Sequence, residues 1–264
     1  MTHALPSQLY LWDKRTLYLG PLFEPIELSQ GAATLTIALS GCIEFKTPDM
    51  NQSIQCKSLL LPAGFDISIN TFDSVVANCN LDAVGADWNA LNKRANHHVG
   101  AIAYNLDCEE HFQNGLREIY HQQMTSDDAY GQLETLMDHV FSQLTEPFKI
   151  DERISKVIEL IKEKVDDNVS VEDLASAVNL SVPRLVQLFK LQTGVPIRRY
   201  RQWHRLYTTS IKMGLGYNLT EAALAAGFSD SAHFTNTFKS MLGMKPSTIL
   251  AQPNQIRINI PAVS

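Results

Sequence analysis

The side chains best suited to redox or metal chemistry are four cysteines and eight histidines. Cys42, Cys56, Cys79 and Cys108 stand 14, 23 and 29 residues apart. A cysteine-based zinc site needs close pairs, so these separations match no zinc pattern, and no histidine is placed to complete one. No histidine occurs between His3 and His97. His97 and His98 are adjacent and would point to opposite faces of a strand, so a surface or structural role is expected. The expectation is therefore no metal, no cofactor and no catalytic set. Free thiols fit a reducing, cytoplasmic compartment.

The chemistry that remains is electrostatic, and it is unevenly distributed. The whole chain of 264 residues has a net charge of −6. Residues 1–149 carry 8 Lys+Arg against 18 Asp+Glu, and residues 150–252 carry 13 against 10. Within residues 168–252 the count is 9 against 4. All four cysteines lie in the acidic part. Such asymmetry suggests two domains with different partners. The chain has no run of 18 apolar residues, so no membrane span is expected. Its start, MTHALPSQLYLWDKRTLYLG, lacks a basic segment followed by a long apolar run, so no secretory signal is expected.

The elements that must position these charges change character along the chain. ATLTIALSGCIEFK alternates: Leu35, Ile37, Leu39, Ile43 and Phe45 point one way, with Ser40-Gly41 as a bend. SLLLPAGFDISIN and SVVANCNLDAV read as further strands, giving a sandwich or small barrel over roughly residues 8–90. The period then becomes helical. Phe112, Leu116, Ile119 and Tyr120 share one face. Tyr130, Leu133, Leu136, Met137, Val140, Phe141 and Leu144 share another. The pair reads as an antiparallel hairpin whose second stripe covers the sheet or forms a dimer seam. Thr145–Phe148 begins a boundary, because Pro147 disfavours helix before it. From there to Pro253 the chain reads as helical.

Inside that helical part the sequence repeats itself. SVEDLASAVNLS (residues 170–181) aligns with NLTEAALAAGFS (residues 218–229). Each begins with an N-cap residue, Ser170 or Asn218, with an acid three positions later. Ala175 and Ala177 in one copy, and Ala222, Ala223 and Ala226 in the other, allow close helix crossing. Asn179 and Gly227 suit positive φ. Leu180 and Phe228 plug a core, and Ser181 and Ser229 are placed to cap a second helix. That helix buries Leu185, Leu188 and Phe189 in one copy and Phe234, Thr237 and Phe238 in the other. Short helix, tight turn and second helix make a helix-turn-helix, here twice.

Residues from about Ile154 to Leu250 resemble the DNA-binding module of the AraC/XylS family of bacterial transcription regulators. The resemblance rests on SVEDLASAVNLS, LVQLFKLQTGVP, RQWHRL, LTEAALAAGFSDSAHFTNTFK and LGMKPS. The signature of the second unit is met by Ala223, Gly227, Phe228, Asp230, Phe234, Phe238, Lys239, Gly243 and Pro246. Thr209 stands where the family's linker helix usually has Ala, and MGLGY (residues 213–217) is Gly-rich, which suggests more flexibility between the units than is usual.

The resemblance implies an α+β chain. A cupin-like β-barrel or sandwich with a helical pair would occupy residues 1–148. An all-α DNA-binding domain would follow over 149–264, with units at about 170–193 and 218–242 joined by a helix from Ile197 to Met213. It implies base contacts from Pro183, Val186, Gln187, Ser231, Ala232, His233 and Asn236. Gln187 and Asn236 suit adenine and Val186 and Ala232 suit thymine methyls, so the site should lean to A·T. It implies phosphate contacts from Arg184, Lys190, Arg198, Arg199, Arg201, Lys239 and Lys245. The N-terminal domain would bind a small effector, dimerise, or both. The expected effector pocket is Leu35, Ile37, Leu39, Phe65, Ile67 and Ile69. Expected partners are double-stranded DNA, a small-molecule effector, a second copy through the helices at 108–145, and RNA polymerase for an activator. Catalytic cupins hold metal with a His-x-His pair, absent here, so a non-enzymatic regulator is expected. Control by a partner protein or by abundance, and an enzyme fused to the module, stay open as alternatives.

Overall fold

The computed structural model describes residues 5–22, 26–29, 32–82, 86–144, 149–164, 169–242, 246 and 256–260. Its N-terminal half is built from strands β1 (Ser7–Leu11), β2 (Thr16–Pro21), β3 (Ile26–Ser29), β4 (Thr34–Ala38), β5 (Ile43–Lys46), β6 (Ile54–Cys56), β7 (Ser58–Leu61), β8 (Asp66–Asn70) and β9 (Val75–Asn80). Helix α1 (Ala86–Asn92), strands β10 (Ala95–Val99) and β11 (Ile102–Leu106), and helices α2 (Glu109–Gln122) and α3 (Ser126–Phe141) follow. The alternation in ATLTIALSGCIEFK becomes β4 and β5, broken at Gly41, whose φ of 65° takes the left-handed conformation that a sharp turn requires.

The strands form two sheets. The larger runs β10-β11-β7-β4-β9-β2-β1 and ends in β12 (Ile256–Asn259); the smaller runs β3-β8-β5-β6. Period two then assigns side chains to layers. Leu35, Ile37, Leu39, Leu60, Ala77 and Cys79 face α2 and α3 in one core. Their neighbours Ala38, Leu59, Leu61 and Val76 face the smaller sheet in another, with Ile67 and Ile69. Every residue of β4 and β7 is buried, because both faces of these central strands are covered. β10 and β11 were not anticipated. β10 is an edge strand with polar Asn96, His97 and His98 exposed, so it lacks the alternation that marks a half-buried strand. His97 stacks on Tyr104, in keeping with the expected structural role.

Leu133, Leu136, Met137 and Val140 of α3 are buried in the core under the large sheet, with Tyr130 and Phe141 packed at its margin. The stripe considered for a dimer seam is thus covered by the chain's own sheet. Arg15 lies beneath the helices and pairs with buried Asp87, 2.6 Å away, and with Glu134.

The helical half comprises α4 (Glu152–Glu163), α5 (Val171–Ala177), α6 (Val182–Thr193), α7 (Ile197–Gly214), α8 (Leu219–Ala225) and α9 (Ser231–Leu242). The expected boundary at Thr145–Phe148 lies outside the described residues. The expected helical run to Pro253 is followed by a strand: β12 pairs in parallel with β1, with Ser7 opposite Ile256 and Tyr10 opposite Asn259. Leu9 and Ile256 also pack against the core of the second helix-turn-helix unit. The two halves meet again at Asp13, which pairs with Lys162 of α4 and lies 3.9 Å from His204 of α7. Burial pushes the His204 imidazole below its usual pKa, with Asp13 opposing.

Candidate nucleic-acid interface

Local signals in the two units operate as their residue types dictate. Ser170 accepts from the Asp173 N–H, and Asn218 with Glu221 closes a capping box. Asn179 (φ 53°) and Gly227 (φ 84°) make the turns after α5 and α8. Buried Ala222 and Ala223 lie on the face of α8 that packs against α7, where larger side chains would hold the helices apart. The expected caps of the second helices are realised differently. Ser181 precedes α6 without a side-chain cap bond. At α9 the cap is Asp230, whose Oδ1 accepts from the His233 N–H at 2.7 Å, while Ser229 Oγ donates to Asp230 Oδ2. These bonds hold the Asp230 carboxyl below its ordinary range.

Packing decides which face of each second helix is left for solvent. In α6, Leu185, Leu188 and Phe189 are buried, whereas Pro183, Arg184, Val186, Gln187 and Lys190 are exposed. Arg184 Nη1 donates to Gln187 Oε1 at 2.9 Å, presetting that amide. In α9, Phe234, Thr237 and Phe238 are buried, whereas Ser231, Ala232, Asn236 and Lys239 are exposed. His233 is half-buried, with its ring bonded to Ser229 Oγ at 3.2 Å and edge-on to Phe228. These contacts tie the His233 ring to the turn before α9. Val186 and Leu191 are the large apolar side chains left exposed on α6.

The expected phosphate set divides. Arg184, Lys190, Arg198 and Lys239 are exposed. Arg199 instead donates to the Ser240 carbonyl at 3.1 Å and ties α7 to α9. Arg201 donates to the Val169 carbonyl, ahead of α5. Both guanidiniums are engaged because α7 is the shared wall of the two units, and burial lowers their pKa values. Lys245 lies outside the described residues. α7 has 18 residues and spans about 27 Å at ~1.5 Å per residue, which with the bulk of each unit suits successive major grooves.

The expected effector lining is not one surface. Leu35, Ile37 and Leu39 face the helices, and Ile67, Ile69 and half-buried Phe65 lie between the sheets. β4 alternates, but its odd-numbered side chains point away from the smaller sheet. A cavity of about 230 Å³ occurs elsewhere, where the halves meet, lined by Leu9, Leu11, Met213, Phe238, Ile258 and Ile260 among others. No local pattern could announce it, since its walls come from both ends of the chain. The thiols have no activated partner: burial pushes Cys56 and Cys79 up to about 12 and Cys108 up to about 11.

Comparison with known proteins agrees with this arrangement. A family model described as a helix-turn-helix domain matches residues 174–252. The transcriptional regulatory protein HptR of Staphylococcus aureus (strain N315) is 23% identical over 184 residues, 68% of this chain and 72% of that protein. The HTH-type transcriptional regulator MtrA of Neisseria gonorrhoeae is 26% identical over 97 residues, 36% of this chain and 32% of that protein. Among solved structures, an apo variant of ToxT from Vibrio cholerae superposes with a TM-score of 0.61 at 15% identity, covering 90% of this chain and 97% of that one. Wild-type ToxT with an unsaturated fatty acid bound gives 0.55 at 15% identity, covering 89% and 94%. At this identity the ToxT likeness establishes the fold. Residues 174–252 are thus a helix-turn-helix domain, the chain is similar to bacterial transcriptional regulators, and its sheet-then-helix order is the fold of ToxT.

Proposed function

We propose that the protein is a sequence-specific, non-enzymatic transcription regulator. Its residues 149–264 would read double-stranded DNA, and its residues 1–148 would receive a small effector. The observation that carries this is the sorting of α6 and α9, with aromatic and aliphatic residues inward and Gln187, Asn236 and the lysines outward on two helices joined by α7. Exposed amides and small side chains above a packed stripe are what base readout in a major groove requires. The effector seat best supported is the apolar cavity between β1, β12 and α7–α9, because an occupant would touch both halves at once. ToxT, with a fatty acid bound in a chain of the same fold, supports an apolar ligand class. Among the described residues, no charged side chain lines this cavity.

The modest positive charge of the helical half favours two modules acting together on DNA, by dimerisation or adjacent sites. With the apolar stripe of α3 buried, a dimer through the helices at 108–145 would use their exposed face. Contact with RNA polymerase would follow if the output is activation. Selection of duplexes from a randomised pool by the full chain tests the reading. Enrichment of an A·T-leaning site with two determinants about one helical turn apart is expected. Recovery of unselected sequence would overturn base readout.

A further inference from the structure

α6 begins with Val182, Pro183 and Arg184, and no acid stands in its first turn. A helix N-terminus carries about half a positive charge, so the helix itself disfavours a guanidinium there. Burial does not account for its place either: Arg184 is exposed, as is Gln187 nearly one turn on. The two are joined across the outer surface of the helix, with Arg184 Nη1 donating to Gln187 Oε1 at 2.9 Å. A spacing of three positions brings such side chains together on one side of a helix. Asp151 is matched by Arg153, which holds its carboxyl down to about 2, and the Arg184 charge adds little to that.

This bond changes what the amide can read. A guanidinium only donates, so the end of the amide that it meets must be the carbonyl oxygen. Bidentate reading of adenine needs both ends of a glutamine: Oε1 accepts from the N6 amino group while Nε2 donates to N7. Here Oε1 is engaged by Arg184, and a fixed positive charge lies beside it. An approaching amino group would meet N–H dipoles of its own sign. What the pair still offers is donors, from Nε2 of Gln187 and from the guanidinium N–H groups that Gln187 does not use. Guanine presents two acceptors side by side in the major groove, N7 and O6.

Given the DNA-reading role proposed above, on which this rests, we infer that Arg184 and Gln187 form one composite reader of guanine in the major groove. Arg184 is then a specificity residue and not a phosphate anchor. In a helix-turn-helix the first residues of the second helix reach the base edges, and Arg184 stands in that turn of α6. The second unit differs: three positions before Asn236 stands His233, whose ring is bonded to Ser229 Oγ. One guanine is therefore set within a site that otherwise leans to A·T, and it lies in the part read by the first unit.

The test repeats the selection from a randomised duplex pool with the full chain, its Arg184→Ala variant and its Gln187→Ala variant. Both side chains are exposed, so neither change opens the core. The two variants should relax the same base pair, and that pair should be G·C in the site selected by the unaltered chain. Replacing it with A·T should weaken the unaltered chain about tenfold and each variant less than about twofold. A 7-deazaguanine there, which lacks the N7 acceptor, should also weaken the unaltered chain, whereas inosine, which keeps both acceptors, should bind as guanine does. The composite reader is overturned, with base readout left standing, by A·T at that pair or by variants that relax different pairs. It is overturned likewise by an Arg184→Ala protein that loses affinity equally on all sequences, the mark of a phosphate contact. Recovery of unselected sequence by the unaltered chain overturns base readout itself, and the reader with it.

Discussion

Gln187 and Asn236 are the side chains on which sequence preference should depend. Each is exposed on a helix whose opposite stripe is buried, so truncation removes a base contact without opening the core. Gln187→Ala and Asn236→Ala should each cost about 1–3 kcal/mol at the selected site and leave random DNA nearly unaffected. Competition binding against both DNAs measures this; equal losses would remove the residue from the reading set. Lys190 and Lys239 are exposed, and neither has a side-chain bond that competes with a phosphate among the described contacts. Changing either to Ala should lower the slope of log affinity against log salt by about one. An unchanged slope would show that the lysine does not reach the backbone. Arg199 and Arg201 lead to a different expectation, because their carbonyl bonds make them braces of α7.

At the level of elements, each unit depends on how its turn places the second helix. Phe228 follows the left-handed Gly227, is 3% exposed, and meets Phe234 edge-on at 5.4 Å between centroids. Its removal leaves a cavity between α8 and α9. Phe228→Ala should destabilise the fold by about 3–5 kcal/mol and abolish specific binding. Chemical denaturation with a parallel binding assay checks both; lost binding with unchanged stability would make Phe228 a contact residue instead of a core plug. The helix-turn-helix elements were legible in the sequence because each rests on local rules repeated twice: an N-cap, small residues at the crossing, a residue tolerant of positive φ, and a 3.6-period stripe. β10 was not legible, since an edge strand with two exposed histidines carries no burial pattern. The cap of α9 was read as Ser229 where Asp230 performs it; both types can cap, and only the backbone geometry selects between them.

At the level of the whole molecule, β12 returns the C-terminal end of the chain to the first strand of the N-terminal sheet. Ile256 packs with Leu9 against the second unit, and Ile260 meets Gly214 so closely that a Cβ there would lie 1.8 Å from Ile260 Cδ1. The second DNA-reading unit is thus fastened to the N-terminal half by backbone pairing as well as by side chains. A chain ending at residue 253 should lose about 2 kcal/mol from this apolar burial, a fall of roughly 4–8 °C in Tm for a protein of this size. Calorimetry of the two chains measures it. An unchanged Tm would mean that the pairing adds nothing to stability.

The sequence by itself determined two local, self-contained things: the paired helix-turn-helix units, and the strands that alternate under a core. These follow from periodicity and capping, which act within a dozen residues. QIRIN, with isoleucines alternating against Arg257 and Asn259, carried a strand signal too, but nothing local named its partner. Only the tertiary structure decided which face of β4 looks toward the helices, that the apolar stripe of α3 is covered by the large sheet, that Arg199 and Arg201 brace α7, and where the cavity between the halves lies. Those are contacts between segments far apart in the chain, fixed by packing geometry that no single stretch of residues contains.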